Sequence, residues 1–175
     1  MTFGIALGSN LGDRLQHLQE AVQRVLACVP GVQLLGAAPL YETAPVDCPE
    51  GSQPFFNTVL EISCALEPLE LLAHLQAIER ELGRPASRSH HAPRTVDLDI
   101  LYADGVRLTH PELTLPHPRW QTRRFVLQPL ADLRPSLIIP GQTQTVRELL
   151  AGLVTDEPAL RLVQRDWLLR PNANL

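Results

Sequence analysis

The sequence of 175 residues contains no lysine, and all 15 of its basic residues are arginine. The absence of lysine excludes Schiff-base chemistry and the Walker-type phosphate loop, whose lysine contacts the phosphates. Aromatic residues make up only 5% of the chain and the formal net charge is −4. An RNA-binding sheet needs exposed aromatic residues on a basic surface, so no nucleic-acid partner is expected.

Long apolar stretches are also missing, and no run approaches the roughly 18 residues that a membrane span requires. The N-terminal stretch MTFGIALGSN has no basic region before its apolar residues, so it predicts a first strand and not a signal peptide. The 3 cysteines are odd in number and lack CxxC spacing, which favours reduced thiols. We therefore expect a cytoplasmic protein that makes no membrane contact.

Charge is distributed unevenly along the chain. Residues 42–81 carry eight acidic residues against Arg80 alone, whereas residues 83–96 carry three arginines and two histidines with no acidic residue. Such a basic cluster can be an ordinary solvated surface. Beside paired carboxylates, however, arginines are typical of a site that binds polyphosphate.

The hydrophobic pattern predicts the order β-α-β-β-α-β. Strands are expected at FGIALG, VQLLGAAPLYET, FFNTVLEIS and TVDLDILYA. Helices are expected after Asp13, with Leu15, Leu18, Val22, Val25 and Leu26 on one stripe, and from Pro68 to Gly83. This order is that of an α+β, ferredoxin-like core. A hairpin in VRLTHPELTLPHP, helical turns in RRFVLQPLADL and TVRELLAGL, and a strand in ALRLVQRDWL would extend it.

Two carboxylates interrupt the apolar strand RTVDLDIL. Asp97 and Asp99 are two positions apart, so they should point to the same face about 7 Å apart. Like charges side by side repel, and burying them unpaired would be costly. They are either surface residues on an edge strand or ligands for a cation, and their apolar flanks favour the cation.

Six motifs occur together and in order: ALGSNLGD, YETAPV, QPFFN, APRTVDLDIL, LTLPHPR and RRFVLQPLADLRP. This set resembles the 6-hydroxymethyl-7,8-dihydropterin pyrophosphokinase family over roughly residues 3–150. The resemblance implies transfer of the β,γ-diphosphate of ATP to the pterin hydroxymethyl group in folate synthesis, with AMP as the other product. It implies one domain over residues 1–175, acting as a monomer on two small-molecule substrates, with residues 151–175 outside the match.

The resemblance also implies a role for each of sixteen residues. Two Mg²⁺ ions would be held by Asp97 and Asp99, and the phosphates would be engaged during transfer by Arg84 and Arg94. The ATP-binding residues would be Gln76, Glu79, Ile100, Thr114, His117 and Arg123. The pterin-binding residues would be Thr43, Ala44, Val46, Phe55, Asn57 and Phe125, the two phenylalanines stacking on the ring.

The chain departs from the family pattern at one loop. His90 and His91 stand where the family has an aromatic residue, and Ala92 replaces a glycine. The role of Arg88 in the same loop stays open, as does that of residues 158–175. The alternative function is a ferredoxin-like regulatory module that binds a small ligand, although such a module would not explain paired aspartates beside an arginine loop.

Overall fold

The structure is a computed structural model that describes residues 1–44, 51–83 and 95–168. Its elements, in chain order, are β1 (Thr2–Ser9), α1 (Arg14–Cys28), β2 (Gln33–Ala37), β3 (Leu40–Thr43), β4 (Phe55–Ser63), α2 (Pro68–Glu81), β5 (Asp97–Ala103), β6 (Leu108–His110), β7 (Leu113–Leu115), a 3₁₀ turn (Trp120–Thr122), α3 (Arg124–Leu133), α4 (Val146–Ala151) and β8 (Arg161–Gln164). Among these elements, no helix is long and apolar enough to cross a membrane.

The main sheet is antiparallel in every described pairing, with the order β5-β1-β4-β3-β8 and β2 also paired with β4. When β2 and β3 are taken as one interrupted strand, the fourth, first, third and second core strands lie side by side. This order confirms the predicted ferredoxin-like core. Strands β6 and β7 form the predicted hairpin, and β8 confirms the predicted C-terminal strand.

The interruption between β2 and β3 corrects the prediction of one continuous strand. Pro39 has no N–H with which to extend the ladder. The carbonyl of Ala38 accepts the Thr58 hydroxyl at 2.9 Å and the Trp167 indole N–H at 2.9 Å. The chain therefore leaves the regular ladder at these two residues and returns to it at Leu40.

The two faces of the sheet carry separate cores. Helices α1 and α2 cover one face, where Phe3, Leu18, Leu71 and Leu98 are buried. Helices α3 and α4 cover the other, which includes Val59, Leu101 and Leu130; we call this second side the front face. Asp13 caps α1 as predicted, accepting the Gln16 N–H at 3.0 Å, but Leu26 is exposed and does not join the predicted stripe.

Strand β5 is held to its neighbours by a tyrosine that lies over a glycine. A Cβ atom at Gly4 would lie 2.1 Å from Cε1 of Tyr102, so only glycine leaves room for this ring. The Tyr102 hydroxyl donates to the buried carboxylate of Glu61 at 3.1 Å, and Arg134 at the end of α3 donates to the same oxygen. Burial raises the pKa of the Tyr102 hydroxyl, and the charge of Glu61 raises it further. These contacts tie β5, β4 and α3 together.

Replacing Gly4 with alanine should therefore destabilise the protein strongly. The added methyl group must displace a buried ring, and overpacking of this kind costs about 1–3 kcal/mol, occasionally more. Urea denaturation measures the loss. The matched control is Gly152→Ala, where the nearest atom to the added Cβ is 3.5 Å away and the change should be small. Equal stability of the Gly4→Ala variant and the wild type would contradict this packing.

Candidate active site

One cross-strand row of the sheet brings together residues from distant parts of the sequence. Gly8 on β1 pairs with Asp97 on β5 and with Asn57 on β4. Asn57 pairs in turn with Tyr41 on β3. Directly opposite residues point to the same face, so the side chains of Asp97, Asn57 and Tyr41 share the front face. We call these four residues the Gly8 row.

The next row on the same face contains the second aspartate. Asp99 pairs with Ala6, which pairs with Val59 in the front core. Asp97 is half-buried and Asp99 is exposed, whereas Leu98 and Ile100 between and beyond them are buried in the opposite core. The prediction that both aspartates share one face of a strand is confirmed.

Strand β5 lies at the edge of the sheet and is fixed there by α2. The Leu98 N–H, between the two aspartates, donates to Oε1 of Glu79 at 2.8 Å, and Glu79 is 4% exposed. Gln76, one turn earlier, is half-buried. This polar face of α2 is therefore directed at β5, and Glu79 has a structural partner that its spacing did not reveal.

Ile100 presents its backbone, and not its side chain, to this edge. Its side chain is 2% exposed and belongs to the core under α1 and α2. The stretch from Asp97 to Ile100 stays in register with β1, and the register shifts beyond Ile100. The Ile100 N–H therefore faces outward on the same side as that of Leu98, and a ligand beside the edge would contact Ile100 through this group.

Positive groups surround the exposed aspartate. Arg123 precedes α3 and is half-buried. Burial lowers the pKa of the Arg123 guanidinium and the charge of Arg119 lowers it further, whereas the carboxylate of Asp99 raises it. Asp99 is thus close enough to interact with Arg123 through charge.

His117 lies between the β6–β7 hairpin and the 3₁₀ turn, and its backbone is hydrogen-bonded to β5. Its N–H donates to the carbonyl of Leu101 at 2.8 Å, and its Nδ1 accepts the Arg119 N–H at 3.2 Å. Burial lowers the pKa of the imidazole, and the carboxylate of Asp99 partly offsets this effect. Since Nδ1 is an acceptor, the neutral ring carries its proton on Nε2, where it can donate to an anion.

A cleft of about 470 Å³ lies on the exposed side of the hairpin. Thr114 and His117 line it together with Arg107 and the turn that contains Gly141. Thr114 is exposed on β7. Neither aspartate nor Asn57 lines this cleft, so it adjoins the Gly8 row without including it.

The predicted pterin residues of β3 and β4 form a compact group at the Asn57 end of the row. The Asn57 amide donates to the hydroxyl of Thr43 at 2.8 Å, and Asn57 is 8% exposed. A Cβ at Gly8 would lie 3.0 Å from Oδ1 of Asn57 and 4.0 Å from Cδ1 of Phe55. Thr43 and Phe55 are half-buried, and Ala44 is exposed just beyond them.

Phe125 lies in the first turn of α3, on the same side of the molecule as Arg123. It is half-buried against the front core, and its ring centroid lies 5.4 Å from the Arg123 guanidinium carbon. Helix α3 thus carries one predicted nucleotide residue and one predicted pterin residue. Arg84, Arg94 and Val46, together with Arg88, His90 and His91, lie outside the described residues.

Sequence reasoning missed Gly8 and Tyr41 as members of this site. The motif ALGSNLGD contained the signal for Gly8, because a glycine inside a strand often marks a close approach by another group. Tyr41 lies under the site, where its hydroxyl donates to Asp132 of α3. Burial and then this carboxylate raise the pKa of Tyr41 to about 12, so the residue stays neutral and anchors the helix.

The donor set is compatible with magnesium held jointly with a phosphate ligand. Among the described residues, no group of three or more His, Cys, Asp or Glu side chains could hold a metal ion. Two carboxylates on one strand face leave most coordination positions to water and to phosphate oxygens. Mg²⁺ favours this arrangement, because it dehydrates reluctantly and takes few protein ligands.

The interaction between Asp99 and His117 can be measured directly. In metal-free buffer, the His117 imidazole should titrate below the ordinary pKa of histidine. In Asp99→Asn the pKa should fall further, because the carboxylate that stabilises the imidazolium is gone. NMR titration of the ring carbon protons measures both values, with Asp104→Asn as the control at the other end of β5. A higher pKa in Asp99→Asn would contradict this geometry.

Comparison with known proteins identifies one family that the chain matches. Residues 4–135 match the model of the 7,8-dihydro-6-hydroxymethylpterin-pyrophosphokinase family. A Bacillus subtilis protein named 2-amino-4-hydroxy-6-hydroxymethyldihydropteridine pyrophosphokinase is 43% identical over 129 residues, which are 74% of this chain and 75% of the relative. The Pseudomonas aeruginosa protein of the same name is 42% identical over 148 residues, covering 85% and 89%.

Longer proteins also match. The chain spans only 20% of the Schizosaccharomyces pombe folic acid synthesis protein fol1, to which it is 37% identical over 85% of its own length. The crystal structure of Plasmodium falciparum HPPK-DHPS with pteroate superposes with a TM-score of 0.68 at 16% identity, covering 86% of this chain and 42% of that one. That likeness shows the fold alone. The family match over most of the chain shows more: this protein belongs to the 7,8-dihydro-6-hydroxymethylpterin-pyrophosphokinase family.

Proposed function

We propose that this chain transfers the β,γ-diphosphate of ATP to the hydroxymethyl oxygen of 6-hydroxymethyl-7,8-dihydropterin, giving the pterin diphosphate and AMP in tetrahydrofolate synthesis. The observation that carries the proposal is the Gly8 row. With Asp99 of the adjacent row, it brings a carboxylate pair that suits phosphate-bound magnesium onto the same face as the Asn57 amide, which suits a pterin edge and lies two strands from β5. A regulatory module would have no use for this pairing.

The phosphate side of the site would lie along β5. Asp97 and Asp99 would hold two Mg²⁺ ions, which supply positive charge to the phosphates. His117 would donate from Nε2 to a phosphate oxygen and Arg123 would offset negative charge beside Asp99. As the bond between the α- and β-phosphoryl groups breaks, charge builds on the bridging oxygen. Arg84 and Arg94 would stabilise it there, as the family resemblance implies.

The nucleoside would lie beside the open edge of β5. The backbone of Ile100 would offer a hydrogen-bonding group to the base, and the exposed Thr114 of β7 would contact the ribose. Gln76 of α2 would lie near the nucleotide, as the family resemblance implies. Glu79 would act mainly by holding β5 in place through Leu98. This assignment gives Gln76 and Glu79 of α2 two different tasks.

The pterin would lie over Gly8. A flat ring needs stacking surfaces and donors or acceptors on its rim. Phe55 and Phe125 offer the surfaces, and Asn57 offers the rim contact. The hydrogen bond from Asn57 to Thr43 fixes the orientation of the amide, so its oxygen is directed toward the space above Gly8.

The reaction itself tests the proposal. Wild-type protein, mixed with ATP, Mg²⁺ and the reduced hydroxymethylpterin, should release AMP and pterin diphosphate in equal amounts, measured by chromatography. Asp97→Asn and Asp99→Asn should each abolish this release while the fold remains intact, because each removes one carboxylate that repels the other. Asp104→Asn, an exposed carboxylate at the far end of β5, should keep full activity. Formation of ADP in place of AMP would refute the transfer, and activity in either variant would refute the metal assignment.

Gly8→Ala tests the position of the pterin. The added Cβ would lie 3.0 Å from the Asn57 amide oxygen and would occupy space above the row. Pterin affinity should fall on the order of tenfold or more, whereas ATP affinity should change much less. Fluorescence titration measures the first and calorimetry the second, with Gly152→Ala as the control. An unchanged pterin affinity would move the ring away from Gly8.

A further inference from the structure

Helix α3 begins with two adjacent arginines and no side-chain cap of its own. Arg123 occupies its N-cap position and makes no side-chain capping hydrogen bond, and Arg124 follows as the first helical residue. Two positive charges lie where the helix dipole is already positive, and the first N–H groups have no acceptor within the helix. Yet this turn carries Arg123 and Phe125, so its position decides where both side chains lie.

A residue 33 positions later in the chain supplies the missing cap. The Arg124 N–H donates to Oε2 of Glu157 at 2.9 Å. The charge of Glu157 also raises the pKa of Arg123, against the larger effect of burial. Glu157 is itself held in a tight turn, since its N–H donates to the Thr155 hydroxyl at 3.2 Å. A carboxylate here satisfies both the free N–H and the positive charge of the first turn.

The same segment continues into β8, which lies beside the predicted pterin-binding residues of β3 and β4. Strand β8 pairs with β3, and Arg161 lies directly opposite Glu42. The Arg161 guanidinium makes two hydrogen bonds to Oε1 of Glu42, at 2.7 and 3.1 Å, and it holds the pKa of that carboxyl below its ordinary value. Glu42 immediately precedes Thr43.

Arg14 extends this contact to the start of β4. It donates to Oε2 of Glu42 at 3.1 Å and to the carbonyl of Pro54, and its guanidinium lies 3.8 Å above the ring of Phe56. Pro54 immediately precedes Phe55. The ion-pair group therefore supports, from the opposite face, the strand ends that carry Thr43 and Phe55.

The far end of the segment is fixed in the main core. Trp167 is 1% exposed, and its indole N–H donates to the Ala38 carbonyl at 2.9 Å. Its own carbonyl accepts the Gln19 side-chain amide at 2.7 Å. The segment is thus attached at both ends and in the middle, although the family match stops at residue 135.

We propose that residues 155–167 are a positioning element for the pterin pocket: Glu157 sets the α3 wall that carries Phe125, and Arg161 sets the β3–β4 wall that carries Thr43 and Phe55. This inference rests on the proposed function and assigns a task to a segment outside the family match. Neither side chain touches the substrate; each acts through the residues it holds.

Two substitutions of Glu157 separate its hydrogen bond from its charge. Glu157→Ala removes the cap, so pterin affinity should fall about five- to tenfold. ATP affinity should fall less than pterin affinity, because removing a negative charge beside Arg123 favours a bound anion and offsets the displacement of Arg123. Glu157→Gln retains an oxygen that can accept the Arg124 N–H and should keep pterin affinity within about twofold of wild type. Asp156→Ala, the exposed neighbouring carboxylate, should change neither affinity.

Arg161→Gln tests the second wall. Loss of this partly exposed ion pair should weaken pterin binding about two- to fivefold, with Arg147→Gln on α4 as the control. Hydrogen exchange of the Arg124 amide, measured without substrates, should accelerate in Glu157→Ala and stay slow in Glu157→Gln and Arg161→Gln. This exchange reports the cap independently of catalysis.

The outcomes separate the two proposals. If wild type binds the pterin and Glu157→Ala binds it equally well, the positioning role is wrong and the function stands. If Glu157→Ala weakens ATP and pterin equally and lowers the free energy of unfolding, the segment is only a structural support and the inference fails. If wild type itself does not bind the pterin, the proposed function fails and this inference fails with it.

Discussion

The open space in the candidate site depends on the absence of a side chain at Gly8. Three strands that are distant in sequence bring Asp97 and Asn57 into one row, and Gly8 is the residue between them. Adjacent strands are about 4.8 Å apart, so the two side chains arise roughly 10 Å apart with an open space between them. Any larger residue on β1 would fill that space, because even a Cβ would crowd the Asn57 amide. Under the proposed function, the pterin hydroxymethyl group and the phosphates would meet in this space.

The supporting contacts lie around this row and include one of its members, Tyr41. Helix α3 crosses the front face and is fixed toward its C-terminal end by two contacts, Arg134 with Glu61 and Asp132 with Tyr41, and at its N-terminal end by Glu157. Because a ten-residue helix is stiff, these attachments determine where Arg123 and Phe125 lie. Two of these three contacts lie at the C-terminal end of α3, whereas the candidate binding residues Arg123 and Phe125 lie at its N-terminal end.

The sequence predicted those features that depend on local pattern. Alternation placed Asp97 and Asp99 on one strand face, and helical spacing placed Leu18 and Val22 in the core. Pro39 was a local signal for the break in the second strand, but the sequence could not predict the bond that fixes the break, since Trp167 is 129 positions from its partner Ala38. It also could not show that Glu79 accepts a strand N–H or that Glu157 caps α3. Both contacts join residues that are far apart in sequence, and no local pattern specifies them. The glycine in ALGSNLGD was a signal of close approach at β1, but only the strand register identifies Asp97 and Asn57 as the residues on either side of Gly8.

The most direct test of the account is a crystal structure of the protein with Mg²⁺, the pterin and an ATP analogue whose α,β-bridging oxygen is replaced by a methylene group. The account predicts the pterin ring above Gly8 between Phe55 and Phe125, with its rim on Asn57. It also predicts metal ions held by Asp97 and Asp99, with the phosphates bound beside these carboxylates. A pterin bound elsewhere, such as in the cleft lined by Arg107 and Gly141, or phosphates that bind away from both aspartates, would contradict it.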